Sequence, residues 1–203
     1  MRLHDVLAVL CVHDVLAVVK KGIEMAQKAL AMDDSIAGAH ALLGQFHALK
    51  RDYDKAIAEG ERAVALSPGG VTALVFYAMS LNYVGRSEEA IAMYQRFIRL
   101  NPFAGTAYFI NFATALRSAE RYEEAVSAYK NSIAREPNNI YAHIGLASTY
   151  SMMGREEEAR AEAAEVLKIN PKFSLDFWAK AIPFKDQSHT DKIINALRKA
   201  GLK

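Results

Sequence analysis

Apolar and polar positions between residues 37 and 173 follow the period of an α-helix, and the pattern itself recurs. Counted from the first residue of the block Ala37–Gly70, positions 4, 7, 8 and 11 share one face of a first helix, because three- and four-residue steps return to the same side. Positions 20, 24 and 27 form the facing stripe of a second helix. The layout returns in Val71–Ala104, Thr106–Asn139 and Ile140–Phe173, each of 34 residues, with Gly105 as a single insertion. Position 7 is large and apolar (Leu43, Tyr77, Phe112, Leu146) and position 8 is small (Gly44, Ala78, Ala113, Ala147). Position 20 is alanine throughout: Ala56, Ala90, Ala125 and Ala159. A small residue at 8 opposite alanine at 20 lets two helix backbones approach closely.

The punctuation agrees. Pro68, Pro102, Pro137 and Pro171 stand at position 32, where a missing N–H and restriction of the preceding residue end a helix. Turns are predicted at Lys50-Arg51-Asp52, Gly85-Arg86-Ser87, Glu120-Arg121 and Gly154-Arg155. Ser87 before Glu88 and Glu89 reads as a capping hydroxyl followed by acids on the positive helix end. Lys20–Asp34 aligns with a second helix, with residues 3–16 as a degenerate first helix. After Phe173, Ser174 is placed to cap a short helix from Leu175 to Ala181 that carries Trp178 and stops at Pro183. An amphipathic helix over about 189–200 follows, with Ile193, Ile194, Leu197 and Ala200 on one face and Gly201 at its end.

A 34-residue period with a small residue at 8, alanine at 20 and proline at 32 resembles the tetratricopeptide repeat (TPR) family over residues 37–173. Position 4 departs from it, holding His40, Leu74, Phe109 and His143 where the family often has tryptophan. Gly60 and Ala163 at position 24 imply thinner packing. The resemblance implies an all-α protein: a right-handed superhelix (α-solenoid) of antiparallel helix hairpins. A single domain over 1–203 is expected, with a degenerate repeat at 3–36, repeats at 37–70, 71–104, 106–139 and 140–173, and a capping helix pair at 174–203 that covers the last repeat. The run 154–167 with Asn170–Leu175, Pro183–Asp186 and Leu197–Leu202 is similar to the C-terminal endings of bacterial proteins that join a class III nucleotide cyclase or a DNA-binding regulator to a TPR array.

Composition narrows the chemistry. A net charge of +2, from 25 basic and 23 acidic side chains, gives no electrostatic footprint for nucleic acid. The most apolar run, Val6 to Val19, contains His13 and Asp14 and falls short of the roughly 20 apolar residues a spanning helix needs. A cytoplasmic protein without a membrane span is expected. Cys11 alone allows neither an intrachain disulfide nor a cysteine metal cage. His40 and His47 lie seven apart in core columns, not at ligand spacing, and the His4-Asp5 and His13-Asp14 pairs have no nucleophile motif beside them. Neither a Walker A loop nor GxGxxG is present. No enzyme, cofactor or metal is expected.

What remains is a surface. In a TPR array the first helices line a concave groove, and positions 2, 5, 6, 9, 12 and 13 point into it. Read out, these are Gln45; Thr72, Met79, Asn82 and Tyr83; Asn111, Thr114 and Arg117; and Tyr141, Ser148, Ser151 and Met152. Asn and Arg can bond a peptide backbone or carboxylate, and Met adapts to irregular apolar partners. Of the carboxylate-clamp pattern only Asn111 fits, since Tyr141 and Gly145 occupy slots that need cations. At the N-terminus HDVLAV occurs at 4–9 and 13–18, half a helical turn out of phase, so one helix is apolar nearly all round. Leu7, Cys11, Val15 and Val18 form a stripe to be covered either by an upstream domain or repeat of a longer protein or by a second copy, the latter giving a homodimer through the N-terminal helix. Three functions stay open: a module binding a protein or peptide in its groove, a regulatory docking segment of a cyclase or transcriptional regulator, and a self-assembling scaffold.

Overall fold

The computed structural model describes residues 12–203, and their side chains from Ala17 onward. Among the described residues there are eleven helices and no strand. They are α1 (Val12–Met32), α2 (Ala37–Leu49), α3 (Tyr53–Leu66), α4 (Val71–Tyr83), α5 (Ser87–Leu100) and α6 (Thr106–Ser118). α7 (Tyr122–Arg135), α8 (Ile140–Met152), α9 (Glu156–Ile169), α10 (Leu175–Ala181) and α11 (Gln187–Lys199) complete the chain. Each 34-residue block opens on the first residue of a helix, as the periodicity predicts.

The turns explain this regularity. Position 15 of every block has a left-handed backbone: Arg51 (φ 63°), Gly85 (φ 88°), Glu120 (φ 61°) and Gly154 (φ 76°). The next amide then reaches five residues back, from Asp52 to His47, Arg86 to Leu81, Arg121 to Leu116 and Arg155 to Tyr150, each at 2.9 Å. This is the glycine-type helix stop in which orphan carbonyls are satisfied as the chain reverses. Second helices end at Leu66, Leu100, Arg135 and Ile169, and the residues before the prolines, Ser67, Asn101, Glu136 and Asn170, leave helical geometry.

The chain divides into two compact units, residues 1–80 and 81–203. In the first, α2 and α3 pair as a hairpin with α1 against α2. A Cβ on Gly44 would stand 3.0 Å from the Ala56 carbonyl oxygen, so the small residue at position 8 does allow the close approach. Ala41, Ala63 and Ala73 form a core with Val64 and Phe76 against it. The Tyr77 ring occupies the space left at Gly60, so the packing there is filled from the next helix.

The separation of a first helix at 3–16 from a second at Lys20–Asp34 is not seen over the described residues, because α1 is one helix of 21 residues that runs through 16–20. The Phe46 ring lies where a Cβ on Gly22 would be. Among its described side chains, Val19 and Ala26 are the buried ones.

In the second unit α6 pairs with α7 and α8 with α9. Tyr94 meets Phe112 at 6.1 Å, Phe97 meets Tyr108 at 4.8 Å, and Tyr129 fills the space beside Gly145. Ser174 caps α10 by accepting the Phe177 amide, Asp186 caps α11 by accepting that of Ser188, and Gly201 (φ 103°) ends it. Ser87 does not cap α5. It lies inside the first turn, and its hydroxyl donates to Asn82 Oδ1 at 2.9 Å. The N-cap is Arg86, whose guanidinium instead pairs with Glu89 at 2.6 Å.

Candidate functional site

Residues expected to line a groove fall into three groups. In the first unit Thr72 is exposed, and Gln45 and Met79 are half-buried. In the second, Tyr141 is exposed, while Tyr83, Asn111, Thr114, Ser151 and Met152 are half-buried. Asn82, Arg117 and Ser148 are buried, which corrects their placement on an open surface. Asn82 is taken up by Ser87, and Arg117 Nη1 donates to Ser148 Oγ at 2.7 Å. Thr114 accepts or donates at the Tyr129 hydroxyl, 2.9 Å away. The N-terminal stripe is described only at its end. Leu7 and Cys11 lie outside the described residues, as does the Val15 side chain, and Val18 is 44% exposed.

The C-terminal segment packs on α8, the helix that carries Ser148. α11 packs chiefly on α8 and barely touches α9, so it lies on the face of the first helices rather than continuing the stack of hairpins. Nine consecutive residues of α8, Ala142 to Tyr150, are buried, which requires cover on every side of the helix. Ile193, Ile194 and Leu197 are the buried stripe of α11, as its amphipathic pattern predicts. Trp178 is only half-buried.

Ahead of α11 the chain crosses to the end of α4. The Lys185 amide donates to the Tyr83 carbonyl at 2.8 Å. Phe184 is buried, edge-on to Tyr83 (5.7 Å, 85°) and 4.7 Å from the His189 ring. Lys192 pairs with Glu120 at 2.5 Å. Burial and the neighbouring Arg117 charge hold His189 below the ordinary histidine range. Sequence reasoning missed Glu120, Phe184, Lys185, His189 and Lys192, because partners 72 residues apart, as Lys192 and Glu120 are, or further, as Lys185 and Tyr83 are, leave no local signal.

Two histidines expected to be packed in the core are wired alike. His40 Nδ1 lies 2.6 Å from Glu59 and its Nε2 lies 2.9 Å from the Asp34 carbonyl oxygen. His143 meets Glu162 and the Pro137 carbonyl oxygen at the same distances. Among the described residues no three His, Cys, Asp or Glu side chains are grouped to hold a metal ion. Nor is any helix long and apolar enough to cross a membrane.

Hairpins of equal length, joined by identical turns and ended by periodic prolines, define an α-helical repeat protein. Tetratricopeptide-repeat profiles match residues 20–71, 71–103 and 116–180, together most of the chain, and the protein belongs to the tetratricopeptide-repeat proteins. It is 28% identical over 114 residues to the small glutamine-rich tetratricopeptide repeat-containing protein 2 of Mycosarcoma maydis, covering 56% of this chain and 32% of that one. It is 41% identical over 76 residues to the TPR repeat-containing thioredoxin TTL4 of Arabidopsis thaliana, covering 37% of this chain and 11% of that one. The chain thus spans a third or less of the length of these relatives. Among solved structures, the type IV pilus biogenesis factor PilW superposes with a TM-score of 0.72 at 16% identity, covering 90% of this chain and 81% of that one. The thermophilic TPR protein TTC0263 of Thermus thermophilus gives 0.68 at 20% identity, covering 82% and 90%. YrrB, described as a TPR protein with an unusual peptide-binding site, gives 0.60 at 18% identity, covering 88% and 91%. At such identities the likeness is one of fold.

Proposed function

We propose that the protein is a non-enzymatic interaction module of the cytoplasm that binds a peptide or protein segment on the first-helix face of its second unit. The observation that carries this reading is that the face already holds polypeptide. Residues 182–199 sit on it through a main-chain hydrogen bond to Tyr83, an aromatic contact and an ion pair, the means by which an extended ligand is held. Tyr83, Asn111, Thr114, Ser151 and Met152 supply hydrogen bonds and adaptable apolar contact at its margins. The test is selection of random 12-residue peptides on the full chain, followed by titration of the enriched sequences. Affinity should fall at least about tenfold on Asn111→Asp/Met152→Glu, a loss of about 1.4 kcal/mol. Enriched peptides indifferent to that change would place binding elsewhere.

A second reading, self-association through α1, is favoured by exposed apolar side chains in one row: Val18 at 44%, Met25 at 62% and Met32 at 89%. Steps of seven residues keep them on one side of the helix. A dimer buried there would be weakened by Met25→Glu, seen as a lower mass by light scattering. A monomeric wild type at high concentration would end that reading. The docking-segment role, with a nucleotide cyclase or a DNA-binding regulator upstream, belongs with these proposals and is decided by the neighbouring reading frame.

A further inference from the structure

The tail is seated mainly by apolar burial, and its polar contacts are weak or incomplete. Its ion pair, Lys192 with Glu120, lies where both side chains are about half or more exposed, so water screens it. On the face, Arg117 Nε, and in the tail itself, Thr190 Oγ1, are buried with no hydrogen-bond partner among the described residues. Arg117 and Thr190 are only 6% and 3% exposed, so these polar groups lack the pairing that burial normally demands. His189, whose ring lies 4.7 Å from that of Phe184, is held below the ordinary histidine range by burial and by the Arg117 charge, and it offers the guanidinium no counter-charge. An occupant with an acidic group at that place would pair with Arg117 and keep the aromatic contact at Tyr83.

We propose that residues 182–199 are a displaceable internal ligand of this face, and that the partner which replaces them presents an aromatic side chain beside an acidic one. The inference rests on the peptide-binding reading above and adds its regulation and the chemistry of the ligand. Phe184 marks the aromatic site. His189 marks the place where an aspartate or glutamate improves on the tail. While the tail is docked, an incoming segment binds only the small fraction of molecules whose face is open, so its apparent affinity is lowered by that fraction.

The probes are two fluorescein-labelled peptides, one with the sequence of residues 180–203 and one with the same sequence carrying His189→Glu. Each is titrated by anisotropy into the full chain and into its Phe184→Ala/Lys192→Glu variant, with hydrogen exchange at the Lys185 amide reporting tail release. The variant should bind the first peptide at least about tenfold more tightly than the wild type. The His189→Glu peptide should bind more tightly than the unchanged one. Equal affinity of wild type and variant for the first peptide would overturn the inference while leaving the peptide-binding face intact. Release of the tail with no binding of either peptide would overturn both. A His189→Glu peptide no tighter than its parent would remove the acidic ligand. If the double variant loses helical circular dichroism, Lys192→Glu alone disturbs only the surface pair. It should raise affinity by about threefold, in proportion to the open fraction, and no change there would count against the inference.

Discussion

The repeats at 37–70 and 140–173 share their internal wiring and differ in what covers them. Both place a histidine at position 4 between a glutamate at position 23 and the carbonyl six residues upstream, with matching distances. The clasp ties each hairpin to the end of the preceding helix, in place of the tryptophan the family often uses there. Yet α8 is buried along nine consecutive residues, whereas α2 leaves Leu42 at position 6 41% exposed. The wiring is local and follows the repeat. The cover is α11, which begins 35 residues after α8 ends and has no counterpart on α2 among the described residues of the first unit. Repeat position therefore tells which way a first-helix side chain points, but not whether it meets solvent.

Substitutions that act on the cover should separate the two repeats most. Leu197, fully buried in α11, should lose about 2–5 kcal/mol on change to alanine, whereas Leu42→Ala, at the open position, should lose about 0.5 kcal/mol or less. Urea midpoints of the two variants measure the gap. Next comes position 6 itself. Gly145→Ala forces a methyl group into the Tyr129 ring and should cost about 1–3 kcal/mol, read as a lower melting temperature.

The clasp at His143 comes third, and it carries a pH signature. Hydrogen bonding to Glu162 raises the pKa of His143. Its contribution is therefore full below the ordinary histidine value of about 6.5 and is lost as pH rises through the raised value. Glu162→Gln should abolish that part of the fall in stability as pH rises above about 6.5, measured by urea unfolding. His189 has the opposite sign. Its pKa is lowered by burial and then by Arg117, with Lys192 adding to this and Asp186 and Glu120 opposing it. Its contribution is full above about pH 6.5 and is lost as pH falls through the lowered value, so acid should loosen the tail. Hydrogen exchange at Lys185 that fails to accelerate, once corrected for intrinsic rate, would contradict this. The smallest effect concerns the turns. Arg51→Gly should gain up to about 1 kcal/mol by relieving a left-handed side chain, and Glu120→Gly should gain less because it also removes the partner of Lys192.

The hairpins were legible in the sequence because each is closed by nearby residues. Alanine at 20, proline at 32 and the small residue at 8 specify a helix pair within one block, and first helices start at Ala37, Val71, Thr106 and Ile140 accordingly. The C-terminal helices were legible too, from Ser174, Gly201 and the Ile193–Leu197 stripe. Their seat was not. An apolar stripe states that a helix is covered without stating by what, and Phe184 with Tyr83 or Lys192 with Glu120 meet only in the folded unit. For the same reason Arg117 read as a groove cation, whereas it is buried against Ser148. At the N-terminus, dividing 3–36 into two helices extended the repeat onto a stretch where no breaker stands between residue 16 and Lys20, and α1 runs through it.

The central claim is that the chain from Ile182 onward is seated on the first-helix face of the second unit. Its most direct test is amide hydrogen exchange at Lys185, the tail amide that donates to the Tyr83 carbonyl. In the full chain at neutral pH that amide should exchange far more slowly than in a free peptide. In Phe184→Ala it should approach the free rate, while Ile144 to Tyr150 within α8 keep most of their protection. An unprotected Lys185 amide in the wild type would contradict the account.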